Sequence, residues 1–138
     1  MKTLFILFVV LIGLTACSIP RVVDFSKIQI TNGIAYCINE DKPFTGTFIE
    51  IYENGQKKSE GNFKDGEFDG KVTSWHENGQ KQSEGNFMDG KQITWYENGQ
   101  KKSETNYKDG KKEGKYIKWS DNGQIEREEY YKDGKLQE

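Results

Sequence analysis

NGQKKSEGNFKDG, residues 54–66, decides the fold, because the chain writes it three more times. The further copies are NGQKQSEGNFMDG from Asn78, NGQKKSETNYKDG from Asn98 and NGQIEREEYYKDG from Asn122, and in each Asp-Gly follows Asn-Gly by eleven residues. Both dipeptides supply the positive φ that tight β-turns require. The residues between them alternate in character, as a strand with one face turned inward does. A repeated turn–strand–turn of fixed length makes the chain an array of β-hairpins, in which each unit buries its face against its neighbours. Arrays of this kind are surfaces or scaffolds more often than catalysts.

The return path from each Asp-Gly to the next Asn-Gly takes thirteen, nine and thirteen residues, giving periods of 24, 20 and 24. The difference of four is even, so every later side chain keeps its face; an odd deletion would turn the strand over. Residues 65–70 and 109–114 read as six-residue turns, and the short unit has only Asp89-Gly90 there. On this reading the missing residues shorten a turn, not a strand.

Aligned ahead of Asn-Gly, the strands put Ile51, Trp75, Trp95 and Trp119 on one face, beside Ile49, Thr73, Ile93 and Ile117. The opposite face carries Tyr52, His76, Tyr96 and Ser120. Further on, Ser59, Gly61 and Phe63 share a side, as do Ser83, Gly85 and Phe87, and Ser103, Thr105 and Tyr107. From Pro43 onward Leu136 is the only leucine, and Val72 with five isoleucines supplies the other large aliphatics, against fourteen aromatic residues. Too few aliphatics exist for a thick core, but rows of aromatics hold a thin sheet together. The expected fold is all-β: an elongated, single-layer antiparallel meander of stacked hairpins.

Ahead of the array, Ile28 to Thr31 and Ile34 to Tyr36 flank Asn32-Gly33, a type I′ hairpin signal. This hairpin departs from the repeat, as a capping unit does, so residues 28–42 are read as an N-terminal cap and 43–138 as the array. Residues 17–27 read as a tether. Residues 1–16 hold one charge, Lys2, and an apolar run from Leu4 to Leu14, too short for a permanent span of about 20 residues and suited to a secretory signal. Leu14-Thr15-Ala16-Cys17 resembles the lipobox of bacterial lipoproteins. That resemblance implies cleavage before Cys17, a lipid on its thiol and a place in the cell envelope, with Ser18 directing the protein to the outer membrane if the cell has two. Cys37, the other cysteine, then has no disulfide partner and reads as a small strand residue.

Charge is balanced from Pro43 to Trp119, with thirteen basic and thirteen acidic residues, and acidic from Ser120 on, with three and six. No basic stripe exists, so nucleic acid is not an expected partner. Catalysis is poorly supported: His76 stands where Tyr52, Tyr96 and Ser120 stand in other units, and no activating cluster surrounds Cys37. No His/Cys spacing suits a metal, and one Lys-Asp-Gly-Lys loop offers too few oxygens for calcium, so no cofactor is expected.

Units of the form Gly-Lys-x-x-x-Trp-x-x-Asn-Gly-x-x-x-Ser-Glu-x-x-(Phe/Tyr)-x-Asp-Gly resemble the bacterial variant of the MORN repeat, with Pro43-Phe44-Thr45-Gly46 leading into the first. The resemblance implies antiparallel hairpins stacked in one twisted sheet. A family sharing the repeat is commonly labelled toxin–antitoxin antitoxins, which implies an antitoxin or immunity role at the envelope. The residues themselves suggest a binding or scaffold protein contacting another protein or an envelope component, with Tyr52, His76 and Tyr96 as the recognition row and Trp75, Trp95 and Trp119 as packing or an apolar patch. A cell-wall glycan or choline module is a third reading, although only Trp95-Tyr96 matches the tandem aromatic pairs of such modules.

Overall fold

The computed structural model describes residues 21–86 and 88–138. The expected signal segment, Cys17, residues 18–20 and Phe87 lie outside the described residues. Among those described, the chain forms β1 (Val22–Asp24), a 3₁₀ turn (Phe25–Lys27), β2 (Ile28–Thr31), β3 (Ile34–Cys37), β4 (Gly46–Ile51), β5 (Lys57–Lys64), β6 (Glu67–Trp75), β7 (Lys81–Gly85), β8 (Gly90–Trp95), β9 (Lys101–Lys108), β10 (Lys111–Lys112), β11 (Gly114–Trp119), β12 (Ile125–Lys132) and β13 (Lys135–Leu136). From β4 to β13 each strand pairs with the next in sequence order, β10 lying beside β9 as the short start of the strand that β11 continues. The fold is a long, open, mostly antiparallel sheet of hairpins, as the repeat pattern requires.

The two turn types differ. At Asp65-Gly66, Asp109-Gly110 and Asp133-Gly134 both residues have positive φ, 50° and 82° in the first case, which makes two-residue type I′ hairpins. Residues 65–70 and 109–114 are therefore not six-residue turns. The residues after each Asp-Gly return at once to the sheet, Phe68 opposite Phe63 and Lys112 opposite Tyr107. At the other end, Tyr52 N–H donates to the Gln56 carbonyl and Gly55 N–H to the Tyr52 carbonyl, closing a three-residue loop in which only the glycine has positive φ. The Asn54 side chain accepts the Gln56 N–H at 2.9 Å, and Asn78, Asn98 and Asn122 do the same two residues on. Each loop leaves a register shift behind it, between Glu50 and Ile51 in the first hairpin.

The core lies at the N-terminal end. Phe44, Phe48 and Phe63 are buried with Ala35 and Cys37 of β3, and Val23, Phe25, Ile28 and Val72 pack around them. Phe48 lies 5.4 Å from Phe63 and 5.2 Å from Phe25, ring centre to ring centre. Each buried phenylalanine contributes about 1.5–3 kcal/mol. The β2–β3 hairpin covers one face here as a second layer, so the sheet is single-layered only beyond its first strands. Part of the stretch read as a tether is built into the fold. Val22 to Asp24 pairs with Thr47 to Ile49 in parallel, because Thr47 N–H reaches the Arg21 carbonyl and Phe25 finds an apolar seat on Phe48. A bidentate pair from Arg21 to Glu40 ties this edge to the loop after β3.

Candidate binding face

Cross-strand pairing assigns the faces. Ile49, Glu60, Thr73, Glu84, Ile93, Glu104, Ile117 and Glu128 lie opposite one another in turn, forming one row across eight strands. Two residues nearer the Asn-Gly loops, the same face carries Ile51, Trp75, Trp95 and Trp119 on alternate strands. Lysines from the strands between fill the gaps: Lys57 Nζ lies 5.2 Å from the Trp75 ring centre, Lys81 5.9 Å from Trp95 and Lys101 5.7 Å from Trp119. Each lysine also pairs with the glutamate three residues on, Glu60, Glu84 and Glu104. The tryptophan row is thus an alternation of aromatic ring and cation, worth about 0.5–1 kcal/mol per contact at exposed sites.

Glu84 and Glu104 each sit between two cations. Hydrogen bonds from Lys91 (2.6 Å) and Lys101 (3.0 Å) hold the Glu104 carboxyl below the ordinary glutamate range, and Lys81, then Lys71, do the same for Glu84. In the last hairpin Ile125 replaces the lysine, and Glu128 pairs with Lys115 from the adjacent strand.

Tyr52, His76 and Tyr96 point to the other face and bind the neighbouring unit. Tyr52 Oη donates to the Trp75 carbonyl at 2.8 Å, Tyr96 Oη to the Trp119 carbonyl at 2.9 Å, and His76 Nε2 lies 3.1 Å from the Trp95 carbonyl. Histidine substitutes for tyrosine because both reach the same acceptor. Asn78 Nδ2 and Asn98 Nδ2 add bonds to the carbonyls of Glu97 and Asp121. The row expected to recognise a partner has its polar tips committed to stacking. Its ring faces remain half-exposed, with Lys58 over Tyr52 and Lys102 over Tyr96. The lysines over the tryptophans had a sequence signal, the third residue after Asn in three copies, but their ring partners belong to the following unit.

At the Asp-Gly end each turn binds back along the chain. Gly66, Gly110 and Gly134 donate N–H to the carbonyls of Phe44, Met88 and Lys112, and the N–H groups of Asp65, Asp109 and Asp133 reach the side chains of Thr45, Asp89 and Glu113. A hairpin unit therefore closes on its own first residues about 22 positions earlier.

Four stretches, residues 44–65, 68–89, 88–109 and 112–133, match the family described as MORN repeat variant, over more than half of the chain. The chain belongs to the MORN repeat variant family. Neither comparison, with curated proteins or with solved structures, returned a match. The MORN boundaries explain the short period: the second and third repeats share residues 88 and 89. Asp89 both ends one repeat and, as acceptor for the Asp109 N–H, opens the next. The four residues that the short unit lacks correspond to Glu67–Gly70 of β6, so a strand is shortened and not a turn, and the Asn86 side chain accepts the N–H groups of Met88 and Asp89 where the chain reverses. MORN repeats are non-catalytic binding modules in general, and among the described residues no cluster of His, Cys, Asp or Glu could hold a metal ion.

Proposed function

We propose that this MORN repeat protein is a non-catalytic binding or scaffold component of the cell envelope, anchored by a lipid on Cys17 and contacting its partner through the tryptophan-bearing face of the array. One observation carries the reading. Trp75, Trp95 and Trp119 recur at every junction as half-buried rings on a face that, among the described residues, no second layer covers, whereas the opposite face is roofed by the β2–β3 hairpin over its first strands. Aromatic rings flanked by cations on a rigid sheet suit partner recognition, because little conformational freedom is lost on contact.

A photo-crosslinking amino acid at Lys81, beside Trp95, tests this in intact cells. A discrete adduct with an envelope component is expected, absent when the probe replaces Lys102, which lies over Tyr96 on the opposite face. Equal labelling from both positions would overturn the assignment of the face.

A further inference from the structure

We infer that the tryptophan row is a docking track for a polyproline II segment carrying proline at every third residue and lying across the strands. This names the ligand class for the binding role proposed above and rests on it.

The spacing comes first. Trp75 on β6, Trp95 on β8 and Trp119 on β11 are each separated by one intervening strand. At about 4.8 Å per strand the tryptophans repeat every ~9.6 Å. Three residues of polyproline II advance about 9.3 Å, so the two periods differ by about 0.3 Å per step and stay in register over the row. An extended strand, with same-side residues about 6.7 Å apart, is about 3 Å out at the second tryptophan. An α-helix, at about 5.4 Å per turn, misses by about 1.2 Å after two turns and doubles that error at the next site.

The chemistry of each notch agrees. A cleft of about 350 Å³ is lined by Gln56, Lys57, Trp75 and Gly79. Lys81 beside Trp95 and Lys101 beside Trp119 repeat the arrangement, with Gln80 close over Gly99 and Gln100 over Gly123. A proline ring packs on the part of the indole that the lysine leaves open, beside the lysine stem. Polyproline II makes no internal hydrogen bonds, so its carbonyls need outside donors. Among the described residues the side-chain hydrogen bonds at the three tryptophans end on main-chain carbonyls, and no indole N–H is both buried and unpartnered. The indole N–H groups supply one donor per turn of the ligand. A stacked sugar needs a whole ring face, and here the lysine ammonium shares it. The chain holds only two prolines, so another copy does not supply the ligand.

The test uses the full chain in detergent and a fluorescent peptide of repeated Pro-Ala-Gln triplets, read by anisotropy. The expected result is saturable binding, weakened about tenfold or more in an isomeric peptide with its prolines at every fourth residue. Trp95→Ala should weaken it about tenfold, and Trp95→Phe, which keeps the ring and loses the donor, about fivefold with an unchanged circular dichroism spectrum. Tyr96→Phe, which loses a stacking bond only, should stay within about twofold. Equal affinity for both peptides, no binding, or binding insensitive to both Trp95 variants overturns the inference. So does a glycan oligosaccharide that binds in a Trp95-dependent way while the triplet peptide does not. If the triplet peptide fails while the Lys81 crosslink persists, the ligand class falls and the binding face stands.

Discussion

Replacing Gly66 and Gly55 separately by alanine measures how the cap is held. Both glycines have φ of +82°, so the two substitutions carry the same backbone penalty, about 1–2 kcal/mol. Their surroundings differ. A Cβ on Gly55 meets nothing within 4 Å, whereas one on Gly66 would lie 2.3 Å from Ile34 Cγ2 and 3.0 Å from the Ala35 carbonyl oxygen, in the covering hairpin. Overpacking of that kind adds about 1–3 kcal/mol. With a urea dependence of roughly 2 kcal/mol per molar, Gly55→Ala should lower the midpoint by about 0.5–1 M and Gly66→Ala by about 1–2.5 M. Two probes separate the array from its cap. All three tryptophans lie in the later hairpins, and Cys37, on β3 of the cap, is buried against the sheet. In a Cys17→Ser background a thiol reagent should therefore modify Cys37 faster in Gly66→Ala than in Gly55→Ala. Equal midpoints and equal thiol reactivity in the two variants would refute the packing of the cap on the Asp65-Gly66 turn.

Removing the Tyr96 hydroxyl as phenylalanine should lower stability by about 1 kcal/mol, visible in the urea midpoint; no change would mean that water replaces the bond to Trp119. Because Lys91 and Lys101 depress the folded pKa of Glu104, its contribution is complete above the unfolded pKa and is lost as pH falls through the folded one. The midpoint difference between the natural chain and Glu104→Gln should thus shrink between about pH 7 and about pH 3, and a constant difference would contradict it. Asn98→Ala removes the acceptor for the Gln100 N–H and the donor to Asp121, and should cost about 1–2 kcal/mol, against a few tenths for an exposed lysine such as Lys64. Cys17→Ser should move the protein from membrane to soluble fractions on cell fractionation; unchanged membrane association would defeat the lipid anchor.

Much of the fold was legible because its signals are local. Asp65-Gly66 and Asn32-Gly33 declare positive φ within two residues, and alternation along Ile49 to Tyr52 separates the faces without reference to any partner strand. Val22 to Asp24 was not legible, since three residues carry too little pattern and their partner in β4 lies more than twenty residues away. Residues 65–70 were misjudged because glycines at both ends look like a loop, while Phe68 is held in the sheet by its stack on Phe63, 4.4 Å away. In the site, the tryptophan row was visible. The tie from the Tyr96 hydroxyl to the Trp119 carbonyl was not, as composition does not say which backbone a side chain can reach.

The sequence by itself determined a hairpin array, its repeat boundaries to within a few residues and the face of each side chain, because turn dihedrals and the two-residue period of a strand are properties of short segments. Only the tertiary structure decided where the core lies and what each aromatic row does. Burial and hydrogen bonding depend on what stands opposite: the cap that closes over Phe48 and Phe63, the carbonyl that engages Tyr52 and Tyr96, and the lysines that reach from one repeat to the tryptophan of the next.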